Sequence, residues 1–224
     1  MRKAITFFFL AFLAIVFAPN SAFASSGNTV GYVRVLHASP DAPSVDVYVN
    51  DKKVLSNVAF GANSEYLALN KGTYNVKVTP AGTKVPVVIN QDIHVQRGKY
   101  YTVAATGNLS SISATVLRDK NKLTKKDDFA RVRFVHFSPD APRVDIATAD
   151  GKVIFSDVGF GERNKYKSLP SGTYNLQVRL AGTNTVVLNV PGVTISEGKS
   201  YSIFALGRAT GSPNLFAKVV LDRE

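Results

Sequence analysis

The sequence contains no cysteine, so neither a disulfide nor a lipid-modified cysteine is available to the protein. Its 224 residues must be held together by hydrophobic cores, and domains of about 100 residues can form such cores without disulfide bonds. No long segment shows helical periodicity, and no second long hydrophobic run follows residue 18. These absences disfavour a helical fold and a membrane-spanning helix in the main part of the chain.

The one long hydrophobic run lies at the N terminus. Arg2 and Lys3 precede a stretch at residues 4–18 that is apolar except for Thr6, and Ala22 and Ala24 supply the small residues that a signal peptidase reads. A stretch of fifteen residues falls short of the roughly 20 that a spanning helix needs, which disfavours an uncleaved anchor. We therefore expect a signal peptide at residues 1–24, export, and no integral membrane segment after cleavage.

Acidic residues are outnumbered, with 16 against 27 basic residues and a net charge of +11. Loss of Arg2 and Lys3 with the signal peptide would leave a net charge of +9. Such a surface attracts anionic polymers, and in a bacterial envelope these include cell-wall polymer and extracellular polysaccharide. Because no basic stripe is interleaved with stacking aromatics, a specific nucleic-acid partner is not expected.

The main part of the chain is a tandem repeat. Residues 33–43, VRVLHASPDAP, return at 132–142 as VRFVHFSPDAP with eight identities in eleven, and later segments repeat in the same order. A period of 99 residues exceeds the roughly 20 to 50 residues of a solenoid unit and matches an independent domain. We predict domains at 25–119 and 131–224, joined at 120–130 by a charged linker that is either solvated or a basic contact strip.

Short Val-rich runs separated by turn residues predict an all-β chain. In the first repeat, strands are predicted at residues 33–38, 45–50, 65–69, 74–79, 85–95, 100–105 and 113–118. About seven short strands in a domain of this size predict a β-sandwich. Residues 39–43, SPDAP, predict a turn that closes a hairpin, in which Arg34 would lie near Asp46 on the neighbouring strand.

Some repeated residues are expected to be structural. The Leu-x-x-Gly-x-Tyr spacing, seen in LNKGTY and LPSGTY, is typical of a tyrosine corner, in which a phenol bonds backbone a few residues upstream. A second Gly-then-Tyr pattern marks the entry to a later strand. The predicted structural residues are Gly72, Tyr74, Tyr101, Gly172, Tyr174 and Tyr201.

Ionisable residues also recur in the SPDAP region. They are His37, Asp41 and Asp46 in the first repeat and His136, Asp140 and Asp145 in the second. Histidine is a natural proton carrier, so these residues indicate either a ligand-binding site or a device that structures the loop. Catalysis would also need a nucleophile, a metal or a second acid, and the carboxylates lack the spacing of a calcium loop. We expect no metal, no cofactor and no catalytic residue.

These motifs resemble the family named domain of unknown function 4397, found in exported and surface-associated bacterial proteins and often in tandem. The resemblance covers both repeats. It implies two immunoglobulin-like Greek-key β-sandwich domains, secreted or associated with the envelope, and it brings no catalytic residues. The second repeat departs where Tyr48 is replaced by Ala147, which would confine any ligand contact of Tyr48 to the first domain.

The function expected from these observations is that of a secreted, non-catalytic binding or structural module of the cell envelope. Two similar basic domains would attach to anionic polymers by several weak contacts at once. The alternative is a hydrolase or another enzyme that uses the repeated His/Asp loops.

Overall fold

The chain is all-β, as the short runs between turns predict. The structure is a computed structural model that describes residues 29–119 and 128–223. The predicted signal peptide at residues 1–24 and residues 120–127 of the predicted linker lie outside the described residues. Phe129 and Ala130, which the prediction assigned to the linker, already belong to a strand.

Each repeat contains eight strands. Those of the first domain are β1 (Val30–His37), β2 (Val45–Val49), β3 (Lys52–Val58), β4 (Leu67–Asn70), β5 (Gly72–Pro80), β6 (Ile89–Val95), β7 (Tyr100–Thr106) and β8 (Ser113–Asp119). Those of the second are β9 (Phe129–His136), β10 (Val144–Thr148), β11 (Val153–Val158), β12 (Lys167–Pro170), β13 (Gly172–Leu180), β14 (Val186–Ile195), β15 (Ser200–Leu206) and β16 (Phe216–Arg223).

The strands of each domain form two four-stranded sheets. In the first domain the orders are β4-β1-β7-β8 and β3-β2-β5-β6, and the second domain repeats them as β12-β9-β15-β16 and β11-β10-β13-β14. All described pairings are antiparallel except β1 with β7 and β9 with β15, which are parallel. We call the sheets that contain these parallel pairs the inner sheets, and the other two the outer sheets.

The strands build a sandwich because alternate side chains of both sheets face the same core. In the first domain, Val33 and Val35 of β1 meet Val47 of β2 and Val76 and Val78 of β5. The second domain places Val132, Phe134, Ile146, Leu176 and Val178 in an equivalent cluster. Each repeat therefore has its own hydrophobic core, which agrees with the absence of disulfides.

The SPDAP segment is a turn, but the predicted hairpin is wrong. Strand β1 lies in the inner sheet, next to β4 and β7, whereas β2 lies in the outer sheet, next to β3 and β5. The segment therefore carries the chain from one sheet to the other. Arg34 and Asp46 are consequently not cross-strand neighbours, because β1 pairs with β7 and Arg34 lies opposite Thr102.

Strand β3 was not predicted, and the immunoglobulin-like assignment stays a prediction. The sequence of β3, KKVLSNV, has largely exposed or half-exposed residues, as expected at a sheet edge. In a constant-type immunoglobulin domain the first two strands share a sheet, whereas β1 and β2 lie in different sheets. The statement that the structure supports is the coarser one of two β-sandwich domains.

The inner sheets of the two domains pack against each other. One buried apolar cluster combines Leu36, Ala104 and Leu117 of the first domain with Phe137 and Phe204 of the second. Phe60 and Phe216 extend it with an edge-to-face contact, their ring centroids 6.0 Å apart. Each inner sheet is thus covered on both faces, which explains why the last five residues of β1 and of β9 are all buried, whichever face they lie on.

Candidate functional site

The histidines of the SPDAP loops are enclosed by the loops themselves. His37 is fully buried, and its Nε2 lies 2.9 Å from the carbonyl oxygen of Pro43, six residues along the chain. His136 is 1% exposed, and its Nε2 lies 3.1 Å from the carbonyl oxygen of Pro142. A carbonyl accepts a hydrogen bond, so each ring carries its proton on Nε2 and spans the base of its loop.

The first aspartate of each motif bonds backbone amides in a distant loop. Asp41 accepts a bond of 2.8 Å from the amide of Leu109, which follows β7. Asp140 accepts bonds of 2.9 and 3.2 Å from the amides of Ala209 and Thr210, which follow β15. These carboxylates connect the sheet-crossing loop to the loop after the central strand of the inner sheet.

The second aspartate is buried and secures two turns of the outer sheet. Asp46 accepts bonds from the amides of Asn57, at 2.9 Å, and Gly82, at 3.1 Å, and from the ammonium group of Lys53, at 2.6 Å. The ammonium and amide donors hold the pKa of Asp46 at about 2. Asp145 accepts the equivalent bonds from Asp157 and Gly182.

The repeated tyrosines and glycines lie at strand entries. The hydroxyl of Tyr74 donates to the carbonyl of Asn70 at 2.9 Å, and that of Tyr174 donates to the carbonyl of Pro170 at 2.7 Å. Gly72 opens β5, and its counterpart Gly172 opens β13 with φ at 149°. The hydroxyls of the later pair accept from backbone, Tyr101 from Gln96 at 3.4 Å and Tyr201 from Ser196 at 3.1 Å.

Burial of the loop histidines leads to a testable pH dependence. It lowers the pKa of both His37 and His136, because desolvation disfavours the charged imidazolium. The unfolded chain then binds more protons below its histidine pKa of about 6.5, so the free energy of unfolding should fall as pH decreases from 7.5 to 5. The slope is at most about 1.4 kcal/mol per pH unit for each histidine. Urea unfolding across this range measures it.

Single substitutions of the loop histidines test this prediction. His37→Gln and His136→Gln should each remove part of the slope, since a glutamine does not titrate. A slope that survives in both loop variants would contradict the prediction.

Sequence reasoning missed a buried ionic network between the domains. Arg34 of β1 donates from Nη2 to Asp222 of β16, from Nη1 to the carbonyl of Leu221 at 2.8 Å, and from Nε to the hydroxyl of Thr102 at 2.9 Å. Its side chain is 3% exposed and the Asp222 side chain is fully buried. An arginine of the first domain is thereby bonded to the last strand of the second.

The network has a second half that mirrors the first. Arg133 of β9 donates from Nη2 to Asp119 of β8, from Nη1 to the carbonyl of Arg118 at 3.1 Å, and from Nε to the hydroxyl of Ser202 at 2.7 Å. The two domains therefore exchange equivalent bonds, and two arginines face two aspartates. The sequence signal that could have revealed this network is the presence of an arginine at the same position of a buried strand in both repeats.

Two tyrosines complete the network. Tyr66 donates to Asp119 at 2.6 Å and Tyr166 to Asp222 at 2.7 Å, and each ring lies 4.8 Å from the guanidinium carbon of an arginine. Burial raises the pKa of both phenols, so both stay protonated and act as donors. Each arginine of the network is paired with an aspartate of the other domain, and these pairs hold the domains together.

Within residues 29–119 and 128–223, no group of three or more His, Asp or Glu side chains is placed to hold a metal ion. None of the helical segments within these residues is long and apolar enough to cross a membrane.

Solved structures share only weak similarity with the chain. The Bacillus anthracis TIE protein matches at 14% identity and a TM-score of 0.27, over 80% of this chain and 34% of that one. A carbohydrate-binding module of family 26 from Eubacterium rectale matches at 11% identity and 0.25, over 87% and 97%. The fimbrial anchor protein Mfa2 from Porphyromonas gingivalis matches at 12% and 0.26, over 87% and 99%. We rest no conclusion on similarities this weak.

The chain has a clearer relationship at the level of family. No curated protein matches it significantly. The family described as Domain of unknown function (DUF4397) matches twice, at residues 31–147 and 130–224, and these matches cover both sandwich domains with their SPDAP loops. The protein therefore belongs to the DUF4397 family, of which it contains a tandem pair.

Proposed function

We propose that the protein is a non-catalytic module of the bacterial cell surface that attaches to anionic envelope polymers through both domains at once. The observation that carries the proposal is the interface between the inner sheets. Its buried charges and apolar cluster join two similar domains into one body, so their outer surfaces are held at a fixed spacing. A repeating polymer can then engage both, and the second contact is intramolecular.

The distribution of charge supports an electrostatic contact. Among the described residues, four aspartates and three arginines are buried: Asp46, Asp119, Asp145, Asp222, Arg34, Arg133 and Arg179. Slightly more negative than positive charge is therefore buried, and the excess of basic residues lies on the surface. Exposed examples occur in both domains, among them Lys71, Lys84, Lys152, Arg163 and Lys165.

The repeated His/Asp loops do not favour the enzyme alternative. The rings of His37 and His136 are enclosed and bonded to their own loops, and Asp41 and Asp140 are engaged with backbone amides. A general base must reach a substrate proton directly or through one water. The arrangement supports a structural role for these loops.

Co-sedimentation of residues 25–224 with insoluble cell walls tests the proposal. Binding should be strong at about 0.01 M salt, where the screening length is about 30 Å, and be lost towards 1 M, where it is about 3 Å. Lys71→Gln combined with Lys152→Gln removes one exposed charge from each domain and should weaken binding. Glu65→Gln combined with Glu197→Gln adds two net charges at exposed sites and should strengthen it. Absence of binding at low salt, or binding indifferent to salt and to both pairs, would overturn the proposal.

A further inference from the structure

The two domains point in the same direction, so their loops meet at one end of the body. The Nη2 of Arg208, after β15, lies 3.2 Å from the carboxylate of Asp41 and donates to Asn108, after β7, at 2.8 Å. Phe60, after β3, contacts Phe216, which opens β16. We call this end, with both SPDAP loops, the loop end. Its segments are residues 38–44, 59–63, 81–87 and 107–112 and their counterparts 137–143, 159–163, 181–187 and 207–215.

Exposed apolar side chains concentrate at the loop end. Ten large apolar side chains are exposed within the described residues, and six of them belong to this end: Val85, Val87, Leu109, Phe160, Val186 and Val187. Val85, at 74%, is the most exposed of the ten. Single exposed apolar residues are ordinary on a protein surface, whereas their gathering at one end marks an interaction surface.

Two hairpin tips carry most of these side chains. In the first domain, residues 81–87 join β5 to β6 and include Val85 and Val87. The amide of Gly82 in this tip donates to Asp46, which follows the SPDAP turn, so the tip is fixed at the loop end. In the second domain the equivalent bond fixes the tip between β13 and β14, and two adjacent exposed valines open β14.

Two further loops add one apolar side chain each. The amide of Leu109 bonds Asp41, so this residue lies beside the first SPDAP loop. Phe160 precedes Gly161, whose amide donates to the carbonyl of His136 at 2.8 Å, beside the second SPDAP loop. The six apolar residues therefore belong to four separate loops, two in each domain, and not to one continuous face.

The charged groups of the loop end leave it cationic. Its segments contain four basic and three acidic residues. The acidic residues are bonded, Asp41 to Arg208, Glu162 to Arg143, and Asp140 to backbone amides. Lys84 and Arg163 are the remaining basic residues. Both are exposed, and neither forms an ion pair within residues 29–119 and 128–223.

We propose that the loop end binds the surface of an anionic lipid bilayer, with the hairpin tips of both domains inserted at the headgroup boundary. A protein partner is rigid and needs a continuous complementary patch. A bilayer is fluid and accommodates four separate apolar loops without such a fit. Its binding strength scales with the buried apolar area and with the attraction of cations to anionic lipids. Lys84, next to the most exposed valine, supplies such a cation.

This contact goes beyond attachment to a polymer and uses another part of the surface. Lys71 follows β4, whose last residue pairs with the first residue of β1, so it lies at the end opposite the SPDAP loops. Lys152 lies between β10 and β11, at the same opposite end of the second domain. The lipid contact and the polymer contact can therefore be tested with different substitutions.

Sedimentation of residues 25–224 with phosphatidylglycerol–phosphatidylcholine vesicles at 0.15 M salt tests the proposal. Binding should exceed that to phosphatidylcholine alone. Val85→Gln with Val87→Gln, and Val186→Gln with Val187→Gln, should each weaken binding at least about threefold, because apolar area is then lost from the inserted tips. The matched control is Val153→Gln with Val219→Gln, at two exposed valines outside the loop end, which should leave binding unchanged.

The depth of insertion has its own readout, because the chain contains no tryptophan. Val85→Trp introduces a single fluorophore at the first tip. Its emission should shift to shorter wavelength on addition of the vesicles and be quenched by brominated lipid, whereas that of Val153→Trp should not. No binding to anionic vesicles, an equal loss in the control pair, or equal quenching of both tryptophans would overturn the proposal. Self-association of the protein through the tips, without vesicle binding, would overturn it as well.

Failure of this proposal is distinguishable from failure of polymer attachment. The valine pairs change no charge, so sedimentation with cell walls freed of lipid should persist in them. Lys71→Gln with Lys152→Gln should weaken sedimentation with walls and leave vesicle binding within about twofold, because both residues lie far from the loop end and the screening length at 0.15 M salt is about 8 Å. A parallel loss of both activities in every variant would contradict two separate contacts.

Discussion

Replacing Arg34 by alanine should lower the free energy of unfolding by about 3–5 kcal/mol, because it leaves an aspartate buried without its partner. Arg34 bonds Asp222 and lies 3.8 Å from Asp119, and all three side chains are at most 3% exposed. Removal of one arginine therefore leaves the two carboxylates facing the single charge of Arg133. Urea unfolding followed by far-ultraviolet circular dichroism measures the loss.

A double-mutant cycle separates the pairing from other effects of the substitution. Asp222→Asn keeps an acceptor for Tyr166 and Ser202, which both donate to Asp222. The double variant Arg34→Ala with Asp222→Asn should cost less than the sum of the two single variants, since no charge is then left without its partner. Arg97 is exposed, and Arg97→Ala should change stability by no more than about 0.5 kcal/mol. A loss below about 1 kcal/mol for Arg34→Ala would contradict the prediction.

The strands were largely predictable because most of them are short runs of alternating or continuous apolar residues between turn signals. Strand β3 was missed because its exposed edge position leaves few apolar residues in KKVLSNV. Turn chemistry located the SPDAP corner correctly but says nothing about which sheet the next strand joins. That choice is made by the pairing of β1 with β7, whose register joins Arg34 to Thr102, 68 residues away.

The residues of the candidate sites were predictable to different degrees. His37, Asp41 and Asp46 stood out because they repeat, yet repetition alone does not separate a loop-structuring role from ligand binding. The interdomain network was not predicted, because Asp119 and Asp222 lie in the last strand of each domain and each bonds an arginine of the other domain, 14 and 188 residues away.

Other differences between the repeats concentrate at the domain interface. Phe137 and Phe204 of the second domain stand where the first domain has Ala38 and Ala104, and all four belong to the same buried cluster. The two phenylalanine rings stack with centroids 5.8 Å apart. At these two positions the second domain therefore supplies large residues to the interface cluster and the first domain supplies small ones.

Phe137→Ala should accordingly cost about 3–5 kcal/mol, the usual effect of removing a fully buried aromatic side chain and leaving a cavity. The loss falls on the contact between the domains, since Phe137 lies in the interface cluster and in neither sandwich core. We therefore expect the urea transition of the variant to separate into two steps, one for each domain, whereas the wild type unfolds in one.

The control for this prediction is Phe160, which is 44% exposed, so Phe160→Ala should cost less than about 1 kcal/mol and leave a single transition. Ala38→Phe should destabilise by about 1–3 kcal/mol through overpacking, because the first domain supplies the small side of the interface. A single, unshifted transition in Phe137→Ala would mean that the apolar cluster contributes little, and that the buried arginines and aspartates alone hold the two domains in one body.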